Sequence, residues 1–120
     1  MAGENPLLQS GTFLSGVVVD GVKHKTFVLR LPTVQDNIDA VDLVGTTNGV
    51  SLSTALFACQ LVELGSLKPE QIDFDLLTTL HPKDYNLLEA ASAELEKKRV
   101  LAETSEETST APGLPSVDSA

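Results

Sequence analysis

A chain of 120 residues with 42% hydrophobic content supplies one modest core, and splitting it in two would leave each part too small to bury enough surface. Its formal charge of −9, with only eight Lys and Arg, argues against binding nucleic acid or an anionic membrane, since both need clustered cations. Tryptophan is absent and aromatics are 4%, so the core must be Leu, Val, Ile and Ala, with Phe13, Phe27, Phe57, Phe74 and Tyr85 as its large pieces. A core this light implies marginal stability, roughly 3–5 kcal/mol, and leaves room for self-association or a partner.

The opening Met1-Ala-Gly-Glu has no basic stretch followed by an apolar one, and no apolar run reaches the length of a membrane span. The expected location is the cytoplasm. The single Cys59 stands in the apolar run Ala55 to Cys59 and reads as a small buried hydrophobe.

Residues 1–11 carry little pattern and are expected to form a flexible arm. Phe13 to Val19 and Val22 to Leu31 are rich in β-branched and aromatic residues. Between them Asp20-Gly21 is a strong hairpin signal, because both turn residues must tolerate positive φ. A two-residue turn sets Val19 against Val22. Continued without a break, that register puts Val17 opposite His24, Ser15 opposite Thr26, Leu14 opposite Phe27 and Phe13 opposite Val28. The face carrying Leu14, Phe27, Leu29 and Leu31 would then rest on helices, since a lone hairpin is marginal in water.

Pro32 ends the second strand, and Thr33 suits the N-cap of a helix with Asp36 in its first turn. Val34, Ile38 and Val41 recur at i, i+4, i+7 and predict the buried face, while Asp36, Asp39 and Asp42 predict a solvated one. Gly45 is the expected stop. The connection Gly45-Thr-Thr-Asn-Gly49 leads to Ser51, a candidate cap for a second helix running to Leu64. Leu52, Leu56, Cys59 and Val62 form one stripe of that helix, and Phe57, Leu61 and Leu64 another. Ser53, Gln60 and Glu63 leave only a narrow polar strip, so the helix should be central or covered by another chain.

After Gly65, Pro69 begins a short helical piece through Ile72, Phe74 and Leu77. Pro82 opens the last helix, with Tyr85, Leu88, Ala91 and Leu95 on one face and Lys97-Lys98-Arg99 near its expected C-terminal end. From Glu103 the chain turns to Glu, Ser, Thr, Pro, Gly and Ala, a composition expected to be disordered when free. The reading is α+β: an N-terminal β-hairpin packed on a small bundle of three to four helices over residues 12–102, then a disordered acidic tail over 103–120.

Chemistry is hard to place on these residues. His24 and His81 stand apart and Cys59 has no companion, so no metal site is expected. The aspartate triplet lies at helical spacing and lacks the loop glycine and terminal Glu of a calcium-binding loop. No Gly-x-Ser-x-Gly, oriented Cys/His pair or phosphate-cradling glycine loop occurs. His24 reads as a surface strand residue and His81 as a residue where the last helix opens. No cofactor and no enzymatic activity are expected. An apolar surplus and a polar tail suit a protein that binds proteins.

Taken in order, Val19-Asp20-Gly21-Val22, then Val28-Leu29-Arg30-Leu31-Pro32-Thr33 with Asp36, then Leu64-Gly65-Ser66-Leu67-Lys68-Pro69-Glu70-Gln71-Ile72 and Pro82-Lys83-Asp84-Tyr85-Asn86-Leu87-Leu88 resemble the tail assembly chaperones of Mu-like, long-tailed bacteriophages. The resemblance spans about Gly16 to Ala93. The Leu-Arg-Leu-Pro-Thr strand end and the Asp84-Tyr85 pair weigh most. The Ile72 to Pro82 interval is wider than the family's usual link, and the acidic tail lies outside the match.

The resemblance implies a helper in the host cytoplasm, absent from the mature virion. Such a helper coats the tape measure protein and recruits tail tube subunits; families of this kind often make a longer, frameshifted product. Phe57, Leu61, Leu64 and Tyr85 are the expected protein-binding surface. The alternative is a minor structural virion protein, a tail completion or connector component.

Overall fold

A computed structural model describes residues 7–110, with side chains as far as Thr104. The fold is mixed α+β. A three-stranded antiparallel sheet in the order β1-β2-β3 is formed by Leu8–Val19, Val22–Arg30 and Leu61–Leu64. The helices are α1 Val34–Val44, α2 Gly49–Gln60, the short α3 Phe74–Leu77 and the long α4 Pro82–Thr110, with a 3-10 turn over Pro69–Gln71. Among the described residues, no helix is long and apolar enough to cross a membrane.

The hairpin forms at Asp20-Gly21, where φ is 52° and 79°, so its mirror-image turn matches the twist of the strands. Val19 pairs with Val22 and Val17 with His24, as the turn requires. Beyond Val17 the expected register fails. The ladder resumes only at Thr12 opposite Thr26, with Gly11 opposite Phe27, so a bulge occupies the interval between Thr12 and Val17. Phe13 turns inward and stacks on Phe27 at 4.6 Å, whereas Leu14 is 65% exposed. Gly16 lies in the bulge at φ 77°, where a Cβ would run into the His24 carbonyl oxygen.

The cause of the bulge lies far away in sequence. Asp84, in the first turn of α4 and fully buried, accepts the backbone N–H of Leu14 at 2.7 Å, Ser15 at 3.0 Å and Gly16 at 2.9 Å. Three consecutive amides can meet one carboxylate only by leaving the ladder. Asp84 thereby ties α4 to the middle of β1, and Leu88, Ala91 and Leu95 follow it into the core at helical spacing. Tyr85, expected on the same face, is half-buried and meets Phe57 edge-on at 5.6 Å.

Past Gln60 the expected second helix is corrected. Leu61–Leu64 is extended and pairs with β2, Phe27 opposite Leu64 and Leu29 opposite Leu61. Otherwise β2 would have a free edge beside the core. The switch is fixed by Gln60, 2% exposed, whose side-chain amide donates to the Arg30 carbonyl at 2.8 Å. Gly65 N–H then donates to the Thr26 carbonyl at 2.7 Å. At the other end of α2, Asn48 rather than Ser51 is the cap, its side-chain oxygen accepting from Val50 and Ser51 N–H.

Helix boundaries also differ from expectation at the chain's two flanks. β1 begins at Leu8, inside the stretch read as an arm, and the Lys98 ammonium donates to the Leu8 carbonyl at 3.2 Å. α4 continues to Thr110, so Lys97-Lys98-Arg99 lie within the helix instead of ending it. There Arg99 pairs with Glu96 and with Glu103, the latter at 2.9 Å, ion pairs one turn apart that favour continued helix. The remaining parts of the expected arm and tail lie outside the described residues.

If Asp84 holds β1 and α4 together, Asp84→Ala should lower the unfolding free energy by roughly 2–4 kcal/mol, since it strands buried donors. Leu14→Ala, at an exposed position in the same bulge, should change it by less than about 0.5 kcal/mol. Urea denaturation measures both.

Candidate protein-binding surface

The local chemistry of α1 starts from Arg30, the last residue of β2. Its guanidinium donates to both Asp36 carboxylate oxygens, Nη1 to Oδ2 at 2.7 Å and Nη2 to Oδ1 at 3.0 Å. It also donates to the carbonyls of Leu31 at 2.9 Å and Cys59 at 2.7 Å. Asp36 in turn accepts Thr33 N–H at 2.8 Å, and the Thr33 hydroxyl accepts Asp36 N–H at 3.2 Å, a reciprocal cap at the helix start. One fork thus joins the end of β2, the start of α1 and the end of α2.

This anchoring turns α1 over relative to the hydrophobic pattern. Asp36 and Ala40 face inward, 6% and 1% exposed, whereas Val34, Ile38 and Val41 are 74%, 48% and 38% exposed. Both expectations for α1 are therefore corrected: its apolar stripe is outward, and one of its three aspartates is buried. Asp39 and Asp42 stay exposed on the flank of the stripe, Asp39 accepting from the Gln35 amide.

Three of the four residues expected to meet a partner are placed otherwise. Phe57, Leu61 and Leu64 are 7%, 6% and 0% exposed and belong to the central core with Phe13, Phe27 and Leu88. Buried against their own chain, they present no surface. Tyr85 is half-buried and lines an open groove of about 340 Å³ with Val50, Thr54, Phe74, Leu77 and Pro82. Its hydroxyl is enclosed without a hydrogen-bond partner.

Charge on the buried groups is explained by their neighbours. The Arg30 hydrogen bond holds the Asp36 carboxyl below the usual carboxylate range against the opposing effect of burial, with the Thr33 amide adding to it. For Asp84 burial pushes upward most strongly, yet the amides of Gly16, Leu14 and Ser15 together outweigh it, and the carboxyl is also held low. Burial pushes the Cys59 thiol up, and the charges of Asp36 and Asp39 add to the effect, which disfavours the thiolate. His24 is buried rather than on the surface, its Nδ1 accepting Ser66 N–H at 3.2 Å. His81 is exposed and opens α4 as expected, Nδ1 accepting Lys83 N–H at 3.0 Å.

Among the described residues no three His, Cys, Asp or Glu side chains are grouped to hold a metal ion. Asp36, Asp84 and His24, which are buried, and the partly exposed Arg30 are each bonded into the fold. The apolar features turned toward solvent include the α1 stripe, the groove beside Tyr85, the neighbouring Val100 and Leu101 on α4, 46% and 69% exposed, and single residues such as Val18, 62% exposed. No family model matches the chain, and neither a curated protein nor a solved structure matches it.

Two measurements check the electrostatics. Since Asp36 and Asp84 are lower in the folded state than the ordinary value near 3.9, the unfolded chain binds more protons as pH falls below about 4. Stability should therefore be full above that pH and decline through the folded values. In Asp84→Asn the acid-side decline should be shallower than in the parent chain. Arg30→Lys, which keeps the charge but loses the fork, should cost about 1–2 kcal/mol in urea denaturation.

Proposed function

We propose that this protein is a tail assembly chaperone of a Mu-like, long-tailed bacteriophage, binding the tape measure protein and recruiting tail tube subunits during tail morphogenesis. It acts by binding, without catalysis, in the host cytoplasm, and leaves before the virion matures. The observation that carries the reading is the outward apolar stripe of α1, Val34, Ile38 and Val41, on a domain whose buried Asp36, Asp84 and His24 serve its own fold. A tape measure protein exposes long amphipathic helices until the tube encloses them, and an unpartnered helix face of this kind suits one of them.

The resemblance supports the same reading. Its two weightiest motifs, Leu29-Arg30-Leu31-Pro32-Thr33 and the Asp84-Tyr85 pair, supply Arg30 and Asp84, the residues that anchor α1 and α4 here. A chain with the same two anchors would present α1 in the same way. The tail tube protein and possible self-association would then engage other faces of the domain.

Co-expression with the tape measure protein of the same phage should yield a complex that copurifies, and mass spectrometry of purified particles should find the chaperone missing. A tape measure protein that never copurifies would overturn the proposal. Stoichiometric presence in finished particles would instead make the chain a minor structural virion protein, a tail completion or connector component.

A further inference from the structure

No lysine or arginine stands between Arg30 and Lys68, whereas Asp36, Asp39, Asp42 and Glu63 do. Arg30 is committed to Asp36. The outer face of α1 is therefore an apolar stripe bordered by uncompensated carboxylates, with Asp39 and Asp42 on one flank of Val34, Ile38 and Val41. We infer that this face docks an amphipathic helix whose apolar side is flanked by Lys or Arg, resting on the chaperone reading only for which protein supplies that helix.

The chemistry selects among occupants. A second copy of the chain laid antiparallel on α1 would bring Asp39 and Asp42 against their own counterparts, and in any orientation it would pair two chains of −9 each, a like-charge repulsion that disfavours the pairing. An acidic helix meets the same repulsion. A basic-flanked helix gains twice, because its apolar residues cover Val34 and Ile38 while its cations meet carboxylates that have no partner cation on their own helix. The field of the whole chain also steers such a helix toward it. Exposed pairs of this sort add little affinity in high salt, so the apolar stripe supplies the affinity and the charges the choice of partner.

The test uses the full chain and two synthetic amphipathic helices with identical Leu stripes, one flanked by Lys and the other by Glu, titrated by fluorescence anisotropy. The Lys-flanked helix should bind at least about tenfold more tightly at low salt, and the margin should shrink as salt is raised. Ile38→Asp should weaken its binding by about tenfold or more, with circular dichroism and the thermal midpoint close to the parent chain. Val34→Asp, at a still more exposed position, should act in the same direction.

Asp39→Lys with Asp42→Lys should reverse the preference to the Glu-flanked helix. Equal binding of both helices, or binding that ignores Ile38→Asp and Val34→Asp alike, overturns the inference. So does a dimer in sedimentation that Ile38→Asp dissociates, because a second copy would then be the occupant. If the coexpressed tape measure protein is captured equally by the parent and by Ile38→Asp, the docking face is elsewhere although the chaperone reading stands. If the parent captures no tape measure protein yet binds the Lys-flanked helix through Ile38, the docking face stands and the chaperone reading falls.

Discussion

Three successive amides of β1, those of Leu14, Ser15 and Gly16, converge on the carboxylate of Asp84, which is otherwise shut away from water. A buried carboxylate needs donors on its oxygens, and a regular edge strand such as β1 frees only alternate amides, never three in a row. The two demands meet by breaking the strand. The stretch between Thr12 and Val17 is set by that break. Phe13 is driven onto Phe27, Leu14 is put outside, and α4 is fixed across β1 with Leu88, Ala91 and Leu95 in the core.

The second tie works by the same logic at the other side of the sheet. Arg30 and Asp36 form a two-pronged pair capped by Thr33, and satisfying it requires Asp36 to point inward from α1. A helix has one inward face. Giving it to Asp36 and Ala40 sends Val34, Ile38 and Val41 outward, so the exposed hydrophobic surface of α1 is a geometric consequence of a structural ion pair. Loosening Arg30 would release the helix that carries the stripe.

Much of the architecture was legible in the residues. The Asp20-Gly21 turn, the start of α1 at Thr33, its end at Gly45 and the α4 face of Leu88, Ala91 and Leu95 all depend on local chemistry, and the sequence carries local chemistry openly. The α+β arrangement follows from them. What went astray depended on distant partners. Helical periodicity continues through Leu61 and Leu64, but β2 competes for those residues with a ladder that only the folded sheet offers. Nothing near Leu14 announces Asp84, and the aspartate spacing of α1 looks solvated until Arg30 is brought to Asp36. The expected binding residues Phe57, Leu61 and Leu64 were recognised as surplus apolar surface. That surplus is consumed inside the domain, while a true exposed stripe was hidden in a helix read as ordinary.

Amide hydrogen exchange in the full chain measures the central constraint directly. The N–H groups of Leu14, Ser15 and Gly16 lie outside the β-ladder, so the sheet gives them no protection. If Asp84 holds them, they should exchange as slowly as the paired residues Val17 and Phe27, and together with the first turn of α4. Exchange at the rate of an open loop would contradict it, leaving the β1 bulge, the seat of α4 and the anchoring that depends on them without a cause.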